Sequence, residues 1–128
     1  MRVRVHPAPL HGTVSVPGDK SISHRALIIG ALVGEPVEVR GVADSEDVLA
    51  TAGALERLGA TITLALRDDR LAGTVTGPLR EPEDVLDCGN SGTALRLLAG
   101  VAAAINGLTV LTGDASLRRR PMDRIAAP

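Results

Sequence analysis

The 128-residue sequence contains no phenylalanine, tyrosine or tryptophan, although hydrophobic residues make up 45% of it. Any core must therefore be built from Leu, Val, Ile and Ala. The lack of aromatic rings also excludes the stacking surfaces that bind single-stranded nucleic acids. With 14 basic and 15 acidic residues the formal net charge is −1, so no overall positive field attracts a polyanion. We expect no nucleic-acid partner, and any anion site must be local.

Cysteine occurs once, as Cys88, which excludes an intramolecular disulfide. No group of Cys and His residues has the spacing of a zinc site, and we expect neither a metal nor a cofactor. A lone cysteine most often behaves as a small buried hydrophobic residue. The apolar stretches are interrupted by Gly or Arg and are too short to span a bilayer, and the start (MRVRVHPAP) lacks the apolar run of a signal peptide. The sequence therefore predicts a cytoplasmic protein without membrane contact.

Hydrophobic periodicity predicts alternating strands and helices. Gly34, Gly59 and Gly107 each follow a helical stretch, where glycine suits the left-handed conformation of a helix end. The residues Arg67–Arg70 predict a hairpin turn. The predicted strands are Val3–His6, Thr13–Val16, Val37–Arg40, Thr61–Leu66, Leu71–Thr76 and Leu108–Thr112, and the predicted helices are Ile22–Val33, Glu46–Leu58, Gly92–Asn106 and a fourth starting at Pro121.

The polarity of these elements is unusual. The segments Ala26–Val33 and Ala94–Ile105 are apolar almost throughout, which is typical of helices buried on all sides. The strands Val37–Arg40 and Thr61–Leu66 instead alternate between apolar and polar residues, which predicts one dry and one wet face. We therefore expect an α/β protein (α+β in some schemes) with helices inside and sheets outside, the inverse of the usual arrangement.

An internal repeat divides the sequence into two similar parts. The segments KSISHRALIIGALV, VEVRG and DSEDV of the first part correspond to NSGTALRLLAGVAAAI, LTVLTG and DASLRRRP of the second. Repeat folds usually need about three units to close a core. Because the second copy stops inside its second helix, we expect the chain to be a fragment with an incomplete fold.

The first candidate anion site is Pro17–Arg25 (PGDKSISHR), a turn that leads into a helix. Gly18 allows a sharp turn and a close approach to a ligand, and the N–H groups and dipole of a helix N-terminus favour an anion. Lys20 adds a flexible charge, Ser21 a hydroxyl that can cap the helix or bind an oxygen, and Arg25 a planar fork for a carboxylate or phosphate. An ordinary capped helix with a solvated Lys and Arg explains the same residues.

A P-loop is the competing motif for this first site, because Gly12 opens a stretch that ends in Lys20-Ser21. A P-loop requires glycine immediately before its lysine. Asp19 occupies that position and would place a carboxylate against the phosphates. The P-loop is therefore rejected.

The second candidate is Cys88–Arg96 (CGNSGTALR), in which two glycines and small polar residues precede an apolar helix. Exposed N–H groups at such a junction form a concave site for an anion. A tight turn with a helix cap is the alternative interpretation. Arg96 counts against that alternative, because a charge placed early in a buried helix needs a carboxylate or a ligand as its partner.

The third candidate is Gly113–Pro121 (GDASLRRRP), with Arg124 beyond it. Three consecutive arginines repel one another and usually form a solvated face. Arg120 differs from its neighbours because it directly precedes Pro121, a residue that suits the first position of a helix. Arg120 is therefore expected beside another positive helix end, where a carboxylate would fit. The repeat places equivalent helix N-termini in equivalent positions, so the three loops can converge at one end of the domain.

The segments PGDKSISHR, GNSGTALR and GDASLRRRP resemble, in this order, those of the enolpyruvyl transferases, specifically the 5-enolpyruvylshikimate-3-phosphate synthases. VADSEDV is similar to a further segment, and the resemblance covers essentially the whole chain. The related UDP-N-acetylglucosamine enolpyruvyl transferases have a similar lysine loop without the Ser-Ile-Ser-His-Arg continuation. The resemblance implies two domains, each with three βαβαββ units that form an inverse α/β barrel. Residues 1–17 would be first strands that belong partly with the C-terminal domain, and residues 18–128 an incomplete N-terminal domain.

The resemblance also implies two substrates, phosphoenolpyruvate and shikimate 3-phosphate, and a role for each matching residue. Lys20 would contact both substrates and be the catalytic residue carried by this chain, and Ser21 and Arg25 would hold shikimate 3-phosphate. Two departures from the family pattern lie beside these residues: Asp19 stands where many members have Ser, and Ser91 where many have Ala. Phosphoenolpyruvate would lie against Asn90, Gly92 and Arg120, with Asp47 and Arg96 as supporting charges.

The implied reaction adds the 5-hydroxyl of shikimate 3-phosphate to phosphoenolpyruvate and then eliminates phosphate, a step in chorismate and aromatic amino acid biosynthesis. The family carries its key carboxylates in the C-terminal domain, so we expect this chain alone to be inactive. Gly92 matches the small residue associated with glyphosate sensitivity. Two other functions stay open: a non-catalytic anion-binding module, which would bind phosphoenolpyruvate without shikimate 3-phosphate, and a purely structural repeat protein, which would bind neither.

Overall fold

Three α-helices and a three-stranded antiparallel sheet make up most of the computed structural model, which describes residues 2–9, 11–68 and 70–127. The chain combines helices and strands, as the sequence predicts for a mixed α/β protein. In chain order the elements are α1 (Lys20–Val33), β1 (Val37–Val42), α2 (Glu46–Arg57), β2 (Thr61–Arg67), β3 (Arg70–Thr76), β4 (Leu86–Asp87), α3 (Gly92–Ala102), β5 (Leu111–Thr112), a 3-10 turn (Leu117–Arg119) and α4 (Asp123–Ala126).

A side-chain cap begins each of the three long helices. The caps are Asp19, Ser45 and Ser91, and each accepts a hydrogen bond from the backbone N–H three residues further on. Asp19, rather than Ser21, therefore caps α1, which begins two residues before the predicted start. The C-terminal end of α1 follows the prediction, since Gly34 adopts a left-handed conformation with φ 81°.

The larger sheet has the strand order β1-β3-β2, with both pairs antiparallel. The strands β2 and β3 form a hairpin in which Arg67 pairs with Arg70, as the sequence predicts. Asp68 takes the positive φ of 50° that a two-residue turn demands, and Asp69 lies outside the described residues. Along β2 the alternate residues are half-buried, which gives the sheet one face toward the helices and one toward solvent.

The two short strands β4 and β5 pair in parallel and are connected through α3, which makes a βαβ unit. The sequence pattern does not predict β4, which has only two residues. It predicted β5 from Leu108 onward, but β4 supplies only Leu86 and Asp87 as partners, and β5 is limited to the two residues opposite them. The helix α3 is also shorter than predicted. After Ala103 the N–H groups donate to carbonyl oxygens three residues back, as from the Ala104 N–H to the Val101 oxygen at 3.0 Å, which tightens the chain and ends the helix.

The core lies between the helices and the inner face of the larger sheet. The helix α1 packs against α2, β1 and β3, and α2 packs against α3. Aliphatic side chains fill this core without aromatic residues, and Cys88 is fully buried among them, as expected of a lone cysteine. The fully buried leucines are Leu27, Leu55, Leu58, Leu86, Leu98 and Leu117.

Burial of α1 on all sides, which the apolar sequence predicts, does not occur in this chain. Leu27 and Ala31 are buried, but Ile29 is 59% and Val33 56% exposed. The reason is that β1, β3, α2 and α3 cover only part of the helix surface. The exposed side borders a groove of about 370 Å³ between α1 and β1. No helix within the described residues is long and apolar enough to cross a membrane.

Two predicted strands near the N-terminus are wrong. Residues 2–9 and 11–19 contain no strand, although Val3–His6 and Thr13–Val16 alternate like strands. A strand requires hydrogen-bonded neighbours, and among the described residues the strands of the larger sheet, β1, β2 and β3, pair only with one another. The only recorded tertiary hydrogen bond to this segment among the described residues runs from Arg70 Nη2 to the backbone oxygen of Val16, at 3.0 Å.

Candidate functional site

The ammonium group of Lys20 forms an ion pair with the carboxylate of Asp47. Lys20 is the first residue of α1 and Asp47 the second of α2, so the pair joins the N-terminal turns of two packed helices. Both side chains reach solvent, with 50% of Lys20 and 27% of Asp47 exposed. An ion pair this accessible contributes about 0–1 kcal/mol. A bound anion can therefore compete with Asp47 for the lysine.

Ser21 and Arg25 are both exposed on α1, one helical turn apart on the same face. Arg25 Nη1 donates a hydrogen bond to the backbone oxygen of Ser21 at 3.0 Å. Because a guanidinium group carries five N–H donors, the remaining donors of Arg25 can serve a ligand. The first two turns of α1 thus present an ammonium group, a hydroxyl and a guanidinium near the helix N-terminus, a combination that suits a phosphate.

The loop before α1 is fixed to the end of β1. The buried hydroxyl of Ser23 donates to the backbone oxygen of Asp19 at 2.7 Å and accepts from the Ala43 N–H at 2.8 Å. A side chain at Gly18 would overlap the backbone oxygen of Gly41, so this position requires glycine. From the sequence, Gly18 is expected to allow a close approach to a ligand. In the structure its close approach is to protein backbone.

At the N-terminus of α3, Asn90 links two loops that are distant in sequence. Its Nδ2 donates to the Asp114 carboxylate at 2.5 Å, and its Oδ1 accepts from Arg120 Nη2. The backbone N–H of Asp114 also donates to the oxygen of Gly89 at 2.9 Å. These bonds fasten the segment that carries Arg120 to the loop that precedes α3.

Asp114 is a site residue that the sequence analysis missed. Its Oδ1 accepts the Leu117 N–H at 2.7 Å and so fixes the start of the 3-10 turn. The hydrogen bond from Leu117, and after it the one from Asn90, lowers the pKa of the Asp114 carboxyl below its ordinary value. The available signal was the Gly-Asp-Ala-Ser-Leu sequence, since an Asp after Gly commonly bonds to the backbone of the turn that follows.

Arg120 reaches the site for a reason other than the predicted one. The sequence predicts a helix from Pro121, but α4 begins at Asp123 and has four residues. Arg120 ends the 3-10 turn in an extended conformation, with φ −77° and ψ 138°. The backbone oxygen of Pro121 accepts a hydrogen bond from Arg96 Nη2 at 3.1 Å instead of one from a helix N–H. The 3-10 turn, and not the start of a helix, therefore determines where Arg120 lies.

Arg96 finds its partners on the backbone. Its Nη1 donates to the oxygen of Gly92 at 3.2 Å, and its Nη2 to the oxygen of Pro121. Carbonyl groups therefore take the role for which the sequence analysis expected a carboxylate or a ligand. The half-buried Arg96 joins the first turn of α3 to the segment just after Arg120.

Gly92 lies against two guanidinium groups. A Cβ at this position would be 2.7 Å from Arg96 Nη1 and 3.1 Å from Arg120 Nη1. The absence of a side chain therefore leaves room for both groups at the N-terminus of α3. Cations and free helix N–H groups together favour a carboxylate or a phosphate at this place.

The structure gathers the predicted site residues into two groups. The group around Lys20 lies near the N-terminal ends of α1 and α2, and the group around Gly92 lies near the N-terminal end of α3. The helix α2 packs against both α1 and α3. Arg118 and Arg119 are exposed, as predicted for a solvated face. Among the described residues, no cluster of His, Cys, Asp and Glu could hold a metal ion. The first group contains Lys20, Ser21, Arg25 and Asp47, and the second Asn90, Gly92, Arg96 and Arg120.

The fold is that of a mixed α/β protein, in which basic side chains lie at the capped N-terminal ends of α1 and α3. Over residues 5–128 the chain matches the family described as EPSP synthase (3-phosphoshikimate 1-carboxyvinyltransferase). The chain belongs to this family.

Similar proteins agree with this assignment. A 3-phosphoshikimate 1-carboxyvinyltransferase of Anaeromyxobacter sp. (strain Fw109-5) is 57% identical over 94% of this chain. One of Gluconobacter oxydans (strain 621H) is 50% identical over the whole chain. The solved structure of EPSP synthase from Acinetobacter baumannii superposes with a TM-score of 0.80 at 41% identity, over 91% of this chain. The chain spans 27% and 29% of the length of the first two proteins and 27% of the third.

Proposed function

We propose that the full-length protein containing this chain transfers the enolpyruvyl group of phosphoenolpyruvate to the 5-hydroxyl of shikimate 3-phosphate. Phosphate is released, and the product serves chorismate and aromatic amino acid biosynthesis. The observation that carries the proposal is the arrangement around Gly92, where two guanidinium groups and a helix N-terminus meet in a chain of this family. This chain supplies substrate-binding loops.

The N-terminal part of α1 is proposed to bind shikimate 3-phosphate. Ser21 and Arg25 hold its phosphate and hydroxyl oxygens, and Lys20 lies between the two substrates and contacts both. Support comes from the exposure of these three side chains beside a capped helix N-terminus. Asp47 supports Lys20 through the ion pair that joins α1 to α2.

The N-terminus of α3 is proposed to bind phosphoenolpyruvate. Arg120 donates to its carboxylate or phosphate, Asn90 orients Arg120, and Gly92 allows the ligand to approach the helix. Arg96 is a supporting charge, because its guanidinium holds the segment after Arg120 against the first turn of α3. Glyphosate, as an anion that takes the place of phosphoenolpyruvate, is expected to compete here.

Two anionic substrates repel each other, and the reaction must bring them together. Charge-assisted hydrogen bonds of about 1.5–3 kcal/mol each, from Lys20, Arg25 and Arg120, offset this repulsion. The 5-hydroxyl oxygen then bonds to C2 of phosphoenolpyruvate while C3 takes a proton and the double bond opens. Loss of phosphate from C2 and of a proton from C3 restores the double bond. General acid and base groups must move the protons, and we place them in the C-terminal domain that the family implies.

The remainder of the full-length protein is proposed to cover the exposed side of α1. Ile22, Ile29 and Val33 form an apolar stripe along one side of the groove between α1 and β1, and exposed apolar surface of this kind normally has a partner. We infer a two-domain protein in which further βαβαββ units bury the helices within an inverse α/β barrel. Residues 1–17 belong partly with the C-terminal domain, and residues 18–128 with the N-terminal domain. We place the protein in the cytoplasm.

Phosphate release by the full-length protein tests this proposal. Lys20→Met should lower kcat/KM by about a hundredfold or more, because it removes charged contacts to two ligands. The matched control is Arg119→Met, which removes an exposed positive charge from the 3-10 turn and should leave the kinetics unchanged. The 128-residue chain alone should release no phosphate from the two substrates. Unchanged kinetics of Lys20→Met, or binding of phosphoenolpyruvate with no affinity for shikimate 3-phosphate, would contradict the proposal.

A further inference from the structure

His24 is fully buried, and one of its two ring nitrogens has no hydrogen-bond partner. Its Nδ1 lies 2.7 Å from the Thr51 hydroxyl oxygen. Its Nε2 is buried without a partner among the described residues. Because an unpartnered buried polar atom is unfavourable, an apolar side chain would pack here at lower cost unless the Nδ1 contact has a use.

The hydrogen bonds around His24 form a directed chain. The Thr51 hydroxyl can donate to the backbone oxygen of Asp47, one helical turn earlier, at 3.5 Å. When it does so, its oxygen accepts a hydrogen from His24 Nδ1, and Nε2 is then a bare lone pair. This tautomer leaves a buried acceptor rather than a buried donor without a partner, and it keeps the imidazole neutral.

Two side-chain pairs join α1 to α2, one turn apart on each helix. Lys20 and His24 are four residues apart on α1, and Asp47 and Thr51 are four residues apart on α2. Side chains with this spacing lie above one another on the same helix face. The buried pair His24–Thr51 therefore stands directly behind the solvent-accessible pair Lys20–Asp47.

The buried pair fixes the position of its accessible neighbour. A hydrogen bond between two fully buried side chains sets the distance and the axial register of the helices that carry them. The accessible ion pair is too weak to set this register alone. A shift of α1 along α2 would move the lysine away from its carboxylate and from any ligand placed between the substrate loops.

We propose that His24 and Thr51 are positioning residues. They fix the register of α1 against α2 so that Lys20 meets Asp47 and the bound substrate. The effect on substrate binding rests on the proposed function, whereas the effect on the position of Lys20 relative to Asp47 does not. The contact between His24 Nδ1 and the Thr51 hydroxyl carries this role, and it offsets the cost of leaving Nε2 without a partner.

Substitutions at both ends can separate the hydrogen bond from packing. Thr51→Val keeps the shape of the side chain and removes the hydroxyl, whereas Thr51→Ser keeps the hydroxyl. His24→Asn places an amide donor near the position of Nδ1, and His24→Gln places it near the position of Nε2. We expect Thr51→Ser and His24→Asn to behave like the unchanged protein. Thr63→Val, at an exposed position of β2, is the control for a threonine-to-valine change.

The first readout needs no substrate. In the full-length protein, labelled lysine side chains give NMR signals, and the Lys20 signal is the one lost in Lys20→Met. Asp47→Asn removes the ion pair and defines the direction in which this signal moves. Thr51→Val and His24→Gln should move it in the same direction, with Thr51→Ser and His24→Asn near the original position. A Lys20 signal that stays unmoved in Thr51→Val would overturn the proposal.

The second readout is the dissociation constant for shikimate 3-phosphate. Thr51→Val should weaken binding by roughly three- to tenfold, the range expected when one charged contact is misplaced. In the Lys20→Met background the same change should have no further effect, because both act through one side chain. A purely structural role would weaken binding equally in both backgrounds and would overturn the proposal. If Lys20→Met leaves the affinity intact while the NMR signals respond as expected, the proposed function fails and the positioning role stands.

Discussion

The guanidinium group of Arg120 donates a hydrogen bond to the side-chain oxygen of Asn90, a residue 30 positions earlier in the sequence. Asn90 in turn donates to the carboxylate of Asp114 at 2.5 Å. The amide of Asn90 is thus held from both ends, with its oxygen toward a cation and its nitrogen toward an anion. Arg120 therefore has a defined position before any ligand arrives, which lowers the entropy lost when one binds.

Removal of this amide should weaken phosphoenolpyruvate binding more than shikimate 3-phosphate binding. In the full-length protein, Asn90→Ala frees Arg120 and leaves Asp114 opposite it, so the two can pair directly. We expect the KM for phosphoenolpyruvate to rise by about tenfold, as for one lost charge-assisted contact. Steady-state kinetics with each substrate varied in turn measure this. Asn106→Ala, at an exposed position beyond α3, is the control, and equal increases in both KM values would contradict the account.

A methyl group at position 92 should push back the two guanidinium groups. The new Cβ of Gly92→Ala would meet the ends of Arg96 and Arg120, which are flexible enough to move while the fold persists. We expect the KM for phosphoenolpyruvate and the inhibition constant of glyphosate both to rise by roughly tenfold or more, with the Tm within about 4 °C.

The matched control for Gly92→Ala is Gly100→Ala on the same helix, where a Cβ would meet no atom within 4 Å. Alanine is the better helix former by roughly 0.8–1 kcal/mol, so this variant should be slightly more stable and bind both ligands normally. A loss of affinity in Gly100→Ala comparable to that in Gly92→Ala would mean that the substitutions act through α3 as a whole and not through the guanidinium groups.

The stability of the protein should decrease in mildly acidic solution because of His24. Desolvation, followed by the charges of Lys20 and Arg25, lowers the pKa of His24 below its ordinary 6.5. Above that pH the residue is neutral in both the folded and the unfolded state, and its contribution to the free energy of unfolding is constant. As the pH falls below it, the unfolded state binds the proton first, and stability falls by at most about 1.4 kcal/mol per pH unit. The loss ends below the folded-state pKa.

Urea unfolding at a series of pH values measures this effect. His24→Asn keeps the hydrogen bond to Thr51 and cannot titrate, so its curve against pH should be flatter than that of the unchanged protein between neutral pH and the folded-state pKa. Identical curves for the two proteins would show that His24 does not resist protonation in the folded state.

The thiol of Cys88 should be unreactive while the protein is folded. Its side chain is fully buried, and desolvation, with a smaller effect of Asp87, raises the pKa of the thiol to about 11. The thiolate is the reactive species, so a water-soluble thiol reagent at about pH 8 should modify it only as fast as the site opens. Mass spectrometry with and without concentrated guanidinium chloride compares the two states. Rapid, complete modification of the folded protein would contradict the burial.

Local signals in the sequence predict much of the fold. The start of α2 follows from Ser45 before Glu46, and the end of α1 from Gly34, since a cap or a left-handed glycine acts on its own backbone. The hairpin at Arg67–Arg70 is equally local. The strand predicted at Thr13–Val16 fails because a strand exists only with a neighbour, and alternation in one segment carries no information about its partner.

The sequence predicts which residues belong to the candidate site, but not the hydrogen bonds that join them. The glycines and basic residues of the three loops mark Lys20, Gly92 and Arg120 in the sequence. The bonds that Arg96 makes to Gly92 and Pro121 are not visible there, because they depend on how two loops pack. The same holds for Asp114, whose importance follows from its contact with Asn90. The substrate roles of all these residues stay predictions.

A structure of the full-length protein with both substrates bound tests the central claim most directly. The distances to be measured join Lys20 Nζ and the Arg120 guanidinium nitrogens to the nearest ligand oxygens. The account predicts charge-assisted hydrogen bonds of about 2.7–2.9 Å for each, with shikimate 3-phosphate beside Ser21 and phosphoenolpyruvate beside Gly92. Ligands bound elsewhere, with Lys20 and Arg120 both facing solvent, would contradict it.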